Sequence, residues 1–143
     1  MKFKSRKDIS FKLFTIISIS VLIALETYIF FTETYSFGIT DIVILFIIPI
    51  LLWIYFGTYY KLTASNLEYT SGPMKGSIPV TKIKEIIVGK TMWSGLKPAT
   101  AKKGLIIKYD TYNEIYITPK ARDFFIMRIL EINPDIKITP YDF

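Results

Sequence analysis

Apolar residues run almost unbroken through two stretches near the start of the chain, then give way to short alternating segments separated by turns. Residues 13–31 and 39–56 each have about the length a helix needs to cross a hydrocarbon core of about 30 Å, so both are expected to span a membrane. Glu26 interrupts the first stretch. It is outweighed there by twelve Leu, Ile, Val or Phe residues, each worth up to about 0.3 to 0.6 kcal/mol on insertion, against roughly 2.5 to 3.5 for a central carboxyl. The stretch is too long for a signal peptide and lacks a small-residue cleavage site, which makes a retained helix the expectation. The second stretch follows the turn-forming Ser36-Phe37-Gly38, has Thr40 and Asp41 as cap candidates, and contains Pro49, which membrane helices tolerate. Trp53, Tyr55, Tyr59 and Tyr60 at its end read as an interfacial belt.

Charge orients the two spans. Lys2, Lys4, Arg6, Lys7 and Lys12 precede the first, the connection 32–38 holds no Lys or Arg, and the remaining positive residues follow the second. Positive residues stay on the cytoplasmic side, so the expectation is a basic cytoplasmic N-terminus over 1–12, an external connection over 32–38, and both termini cytoplasmic. So short a connection makes the helices an antiparallel hairpin.

Residues 57–143 are expected to form one small cytoplasmic domain. Strands are predicted over 59–63, 66–71, 77–80, 82–90, 105–109 and 114–117, with turns at 64–66, 72–76 and 110–113. Pro79 marks an edge or a bend. Thr118-Pro119 reads as the N-cap and first residue of a helix that ends before Asn133-Pro134. Ala121, Phe125, Ile129 and Ile132 share one face of that helix and should cap the sheet. Phe124, Met127 and Leu130 lie off that stripe and form a candidate partner surface. The fold class is a two-helix transmembrane hairpin plus a small α+β domain, an antiparallel sheet or partly open barrel capped by a C-terminal helix.

Composition removes most chemistry. The chain of 143 residues has no Cys and no His, which excludes disulfides, thiolate or histidine metal sites and Ser-His-Asp triads. No catalytic residue, metal ligand or cofactor is expected. A hydrophobic fraction of 51% exceeds what a soluble domain of this length usually hides, in keeping with lipid-facing helices. The net charge of +6 suits acidic lipid headgroups. Nucleic acid is a poor partner: many of the ten Tyr and eleven Phe lie in or beside the apolar stretches, and no recognition motif occurs.

A set of short segments carries a resemblance. Two apolar stretches, then Tyr-Lys-Leu-Thr at 60–63, Ser-Ile-Pro-Val at 77–80 with Ile83 and Ile86, Ala99-Thr-Ala, Leu-Ile-Ile-Lys-Tyr at 105–109, and Ile117-Thr-Pro-Lys leading to Phe125 and Asn133-Pro134 resemble the YyaB-like bacterial family. The resemblance covers about 59–138 and implies a pleckstrin-homology-like (PH-like) domain on a membrane anchor in a bacterial cell membrane. The soluble part is also similar to the sublancin immunity protein of bacilli. Together these imply a non-enzymatic, membrane-anchored interaction module, with self-protection against a membrane-active peptide as its biological use. Thr118 stands where the family pattern has a serine, and no catalytic residues carry over.

Three sets of residues remain as candidate sites. Glu26 is a candidate intramembrane polar site: a proton or cation site, a contact for a cationic peptide, or, more plainly, a side chain near enough to the external face to reach water or paired within the hairpin or an oligomer with Thr27, Tyr28 or a partner hydroxyl. A small channel or transporter subunit built around it is the alternative function. Trp93, Lys97, Lys102 and Lys103, with Lys90 nearby, form a candidate acidic-lipid contact on the long connection 91–104; ordinary solvated lysines are the plainer reading. Phe124, Met127 and Leu130 would meet a protein partner or another copy of the chain. The glycines at 72 and 76 read as a turn, and Asp110, Glu114, Asp123 and Glu131 as solvated charge.

Overall fold

The computed structural model describes residues 1–32 and 36–141. The chain begins with a strand, β1 (Lys2–Lys4), before helices α1 (Ile9–Phe30) and α2 (Ile39–Gly57). Then come β2 (Tyr59–Leu62), β3 (Asn66–Ser71), β4 (Met74–Pro79), β5 (Ile83–Val88), β6 (Leu105–Tyr109), β7 (Asn113–Ile117), α3 (Arg122–Ile132) and β8 (Lys137–Pro140). Part of the expected connection 32–38, and the last two residues, lie outside the described residues.

The strands form two four-stranded sheets, β1-β2-β3-β4 and β7-β6-β5-β8. All neighbours are antiparallel except β5 and β8, which are parallel. Alternation decides which side chains face the space between the sheets: Tyr60 and Leu62 turn inward from β2, while Lys61 faces solvent. Phe3, Leu67, Ile78, Ile86, Leu105, Ile107, Ile115 and Ile117 fill the same space, and Phe125 and Ile129 of α3 close it. Strand β6 departs from alternation because Ile106, on its outer face, is also covered. Ile106 and Tyr116 form a second small cluster with Met92 of the loop 89–104.

Several local expectations are corrected by long-range contacts. Residues 2–4 are not a free basic tail: β1 pairs with β2, and Phe3 is buried with its ring 5.2 Å edge-on from Phe125. Tyr60 is not in an interfacial belt, since strand alternation turns it into the core, fully buried. Helix α3 starts at Arg122 and not at Pro119, because the preceding residues are already paired: Arg6 N donates to Thr118 O at 2.7 Å and Lys120 N to Lys4 O at 2.9 Å. The Thr118 hydroxyl therefore bonds Ser5 Oγ at 2.9 Å and does not cap the helix. Strand β8 follows the Asn133-Pro134 break and returns beside β5, burying Ile136.

The turn between β3 and β4 is tighter than expected, with Gly72 at φ +57°. A Cβ there would sit 2.6 Å from Ile54 Cγ1, so this glycine lets the hairpin turn press against the end of α2. Pro79 ends β4, which is an edge strand as its lack of a donor requires. α1 and α2 run antiparallel: Phe11 stacks on Tyr55 with centroids 6.1 Å apart, and Glu26 meets Asp41 at the other end. Apart from Thr15, no described residue of either helix is buried.

Candidate functional site

The chemistry of the molecule gathers where the helices join the sheets. Ser5, Tyr60, Thr100 and Thr118 bring their hydroxyls together there. Ser5 Oγ is 2.8 Å from Thr100 Oγ1 and 3.1 Å from Tyr60 Oη, while Tyr60 donates to Pro98 O at 2.7 Å and accepts from Thr118 N at 3.1 Å. Burial pushes the Tyr60 phenol above its ordinary range, so it stays a neutral donor. This cluster fastens four segments distant in sequence: the residues before α1, strand β2, the loop 89–104 and the residues after β7.

That loop carries the expected lipid contact. Trp93 projects from it, 84% exposed, with Lys97 Nζ 6.0 Å from its ring centroid. The loop is tied to the residues entering α1: Lys102 N donates to Asp8 Oδ2 at 2.6 Å, Asp8 N donates to Thr100 O at 3.2 Å, and the Arg6 guanidinium donates to Lys102 O. Lys97 and Lys102 thus border a cavity of about 330 Å³ whose far wall is Asp8, Ser10 and Phe11. Lys103 takes a left-handed conformation, φ 50°, and its N–H donates to Thr91 Oγ1 at 2.8 Å. Lys90 lies apart, with its ammonium 5.1 Å from the Tyr141 ring centroid. The structure brings Lys97 and Lys102 to the start of α1, with Trp93 beside Lys97 and Lys103 on the Thr91 side of the same loop.

Glu26 has a partner that the sequence did not suggest. Its carboxyl meets that of Asp41 on α2, and Asp41 Oδ2 also accepts the Gly38 N–H at 2.6 Å. Thr27 bonds its own helix, donating to Ile23 O at 2.8 Å, and Tyr28 is exposed. The expected partner face on α3 divides. Phe124 and Met127 are exposed, with Arg128 5.3 Å over the Phe124 ring, but Leu130 is half-buried against the core and belongs to it.

Residues missed by sequence reasoning line the opposite side of the residues entering α1. Lys4, Lys7, Lys12 and Lys120 surround a cleft of about 460 Å³ floored by Tyr55 and Phe56. The alternation Lys2-Phe3-Lys4 was the available signal that this segment is a strand.

With this geometry in hand, the comparisons with known proteins place the fold. The family described as "Bacterial PH domain" matches residues 58–133, more than half of the chain. The chain belongs to this bacterial PH domain family. The match begins at the first residue after α2 and ends just after α3, so β1 and β8, one edge strand of each sheet, lie outside it. The chain is also similar to "Uncharacterized protein YyaB" of Bacillus subtilis strain 168, 26% identical over 90 residues, covering 62% of this chain and 62% of that protein. It therefore spans less than two thirds of the length of the curated relative it matches. No solved structure matches the chain significantly.

Proposed function

We propose that this bacterial PH domain protein is a multi-pass protein of the cell membrane, whose two apolar helices hold an interaction module against the cytoplasmic face, where it acts by binding. The pairing of β1 with β2 carries this reading. Those strands flank the helical hairpin, so two spanning helices would return the chain to the side it left. The exposed Leu, Ile and Phe side chains on both helices argue against a buried core helix, and cleavage after α1 would remove β1 and Phe3 from the domain. Binding is favoured over catalysis because the junction hydroxyls are engaged with one another and with backbone carbonyls. The loop carrying Trp93, Lys97, Lys102 and Lys103 is the part expected to touch acidic headgroups.

Reporter fusions test the topology. A phosphatase that works only outside the cell should be active when joined after Phe37 and silent after Gly76 or Tyr141. Activity after Tyr141 would defeat the arrangement.

Within this reading, we propose self-protection against a membrane-active cationic peptide. The meeting of the Glu26 and Asp41 carboxyls, at the end of the hairpin away from the domain, favours it, since such a peptide would reach that end first. Expression in a sensitive host should raise tolerance, and Glu26→Gln should lower it again; equal sensitivity with and without the protein would reject this use. A channel or transporter subunit built around Glu26 would show itself instead as ion flux in reconstituted vesicles.

A further inference from the structure

We propose that the cleft beside the residues entering α1 holds the phosphate of an anionic phospholipid headgroup, with Lys4, Lys7, Lys12 and Lys120 as its counter-charge. The inference rests on the membrane reading above, but uses a different set of residues from the Trp93 loop. Lys4 ends β1, Lys7 lies in the short entry to α1, Lys12 sits on the first turn of α1, and Lys120 follows β7. The pairing of residues 4–6 with 118–120 is what brings them together. At about 460 Å³ the cleft falls within the roughly 300–1,000 Å³ usual for small-ligand sites.

Charge here is uncompensated and gathered in one cleft, whereas several other cations of the domain have carboxylate partners. Lys61 pairs with Glu68, Lys82 with Asp110, Lys108 with Glu85 and Arg128 with Glu131. Among the described residues, no carboxylate comes within ion-pair distance of Lys4, Lys7, Lys12 or Lys120. Arg6 also borders the cleft, but it is 3.5 Å from Asp8 and donates to Lys102 O, so its charge is already committed. Lys7 registers the strain: partial burial, then repulsion from Lys12 and Lys4, pushes its ammonium below the ordinary lysine range. A bound anion would relieve that repulsion.

The floor of the cleft selects among anions. Lys7 Nζ stands 4.1 Å above the Tyr55 ring centroid and 4.9 Å from that of Phe56, and Phe56 is 72% exposed on the apolar surface of the hairpin. Cations together with an exposed apolar floor suit a phosphate that carries an acyl chain. A free phosphate would use only the cations. Most of the site (Lys4, Lys7, Lys12, Tyr55 and Phe56) lies outside the segment that matches the family.

The test uses the full chain in nanodiscs of phosphatidylcholine with or without phosphatidylglycerol, reading retained lipid by native mass spectrometry and Tm by thermal unfolding. Wild type should retain phosphatidylglycerol in preference to phosphatidylcholine and unfold at a higher temperature when it is present. The triple variant Lys7→Gln, Lys12→Gln, Lys120→Gln should lose about tenfold or more of that preference while keeping its Tm in pure phosphatidylcholine. The matching Lys→Arg triple should keep the preference, which separates loss of charge from misfolding. Lys97→Gln, Lys102→Gln, Lys103→Gln, on the loop also expected at the headgroups, should lose markedly less of it than the first triple. An unchanged preference in the first triple, or an equal loss in both Gln triples, would overturn the proposal. So would displacement of phosphatidylglycerol by millimolar inorganic phosphate with the same rise in Tm, since the ligand would then be a soluble phosphate. Carbonate extraction of wild type from native membranes is read separately: release of the protein would reject the membrane reading itself, whereas retention with unaltered lipid selectivity in the first triple would reject only the cleft.

Discussion

The hairpin and the sheet domain are both rich in Ile, Leu and Phe, yet they place them oppositely. On the helices Phe14 is 62% and Leu45 66% exposed, whereas Leu105, Ile107 and Phe125 in the domain are fully buried. Apolar content alone therefore does not say what solvent a segment is built for. The domain encloses its apolar side chains between two sheets and α3; the hairpin leaves its own facing outward, where only lipid or another protein could remove them from water. The boundary between the two regimes is not the end of α2. It runs through residues 1–8, which lie before the hairpin in sequence and inside the domain in space.

The largest expected effect breaks the comparison at that boundary. A fragment of residues 58–141 lacks β1, Phe3 and the Ser5 hydroxyl, and should lose its cooperative unfolding transition, since emptying one core phenylalanine already costs about 3 to 5 kcal/mol of a stability of roughly 5 to 15. Joining residues 1–8 to 58–141 through a short Gly/Ser linker in place of the hairpin should restore it, because Ser5 N and Thr58 O are hydrogen-bonded at 3.2 Å. Equal denaturant midpoints for the two fragments would show that β1 is dispensable.

Next in size are two substitutions on one helix. Phe125→Ala should cost about 3 to 5 kcal/mol, as for other emptied core aromatic sites, while Met127→Ala, at a position 49% exposed, should cost under about 1. Chemical denaturation of the linked domain would compare them, and similar costs would mean that α3 is rotated from the orientation described. Tyr60→Phe keeps the ring but removes the hydroxyl that joins Ser5, Pro98 and Thr118. It should cost about 1 to 3 kcal/mol by leaving buried partners unsatisfied. Hydrogen exchange should then rise at Thr118, whose N–H loses its acceptor.

What could be read from the sequence follows how local each signal is. The apolar stretches, β2, β3, β5, β6 and β7 rest on continuous runs or alternation and lie close to where they were expected. β1 was hidden because three residues of Lys-Phe-Lys beside an apolar helix also fit a positively charged flank. β8 was hidden behind Asn133-Pro134, a strong stop signal that says nothing of Ile136-Lys137-Ile138 beyond it. Thr118-Pro119 is a sound local start for a helix, but three backbone and side-chain bonds to residues 4–6 take precedence. The same rule holds for the sites. Trp93, Lys97 and Lys102 are near one another in sequence and were legible as a group; Lys4, Lys7, Lys12 and Lys120 meet only because β1 folds back beside the end of β7.

The smallest effect concerns Glu85, which ties the edge strand β8 to the domain. Its Oε1 accepts from Thr139 Oγ1 at 2.6 Å and its Oε2 lies 3.0 Å from Lys108 Nζ, so one carboxylate on β5 links both neighbouring strands. The hydrogen bond from Thr139, then that from Lys108, holds the Glu85 carboxyl below the ordinary glutamate range. A carboxyl more acidic in the folded than in the unfolded chain contributes stability above its unfolded pKa, about 4.3, and that contribution fades as the pH falls through the folded value. Because the side chain is partly exposed, screening limits the effect, and Glu85→Gln should cost under about 1 kcal/mol at pH 7. The informative quantity is the wild-type minus variant stability of the linked domain across pH. It should be flat from about pH 7 to pH 5 and shrink toward zero below about pH 4. A difference that stayed constant down to low pH would mean that charge on Glu85 does not hold β8, leaving the ladder with β5 and the burial of Ile136 to do so alone.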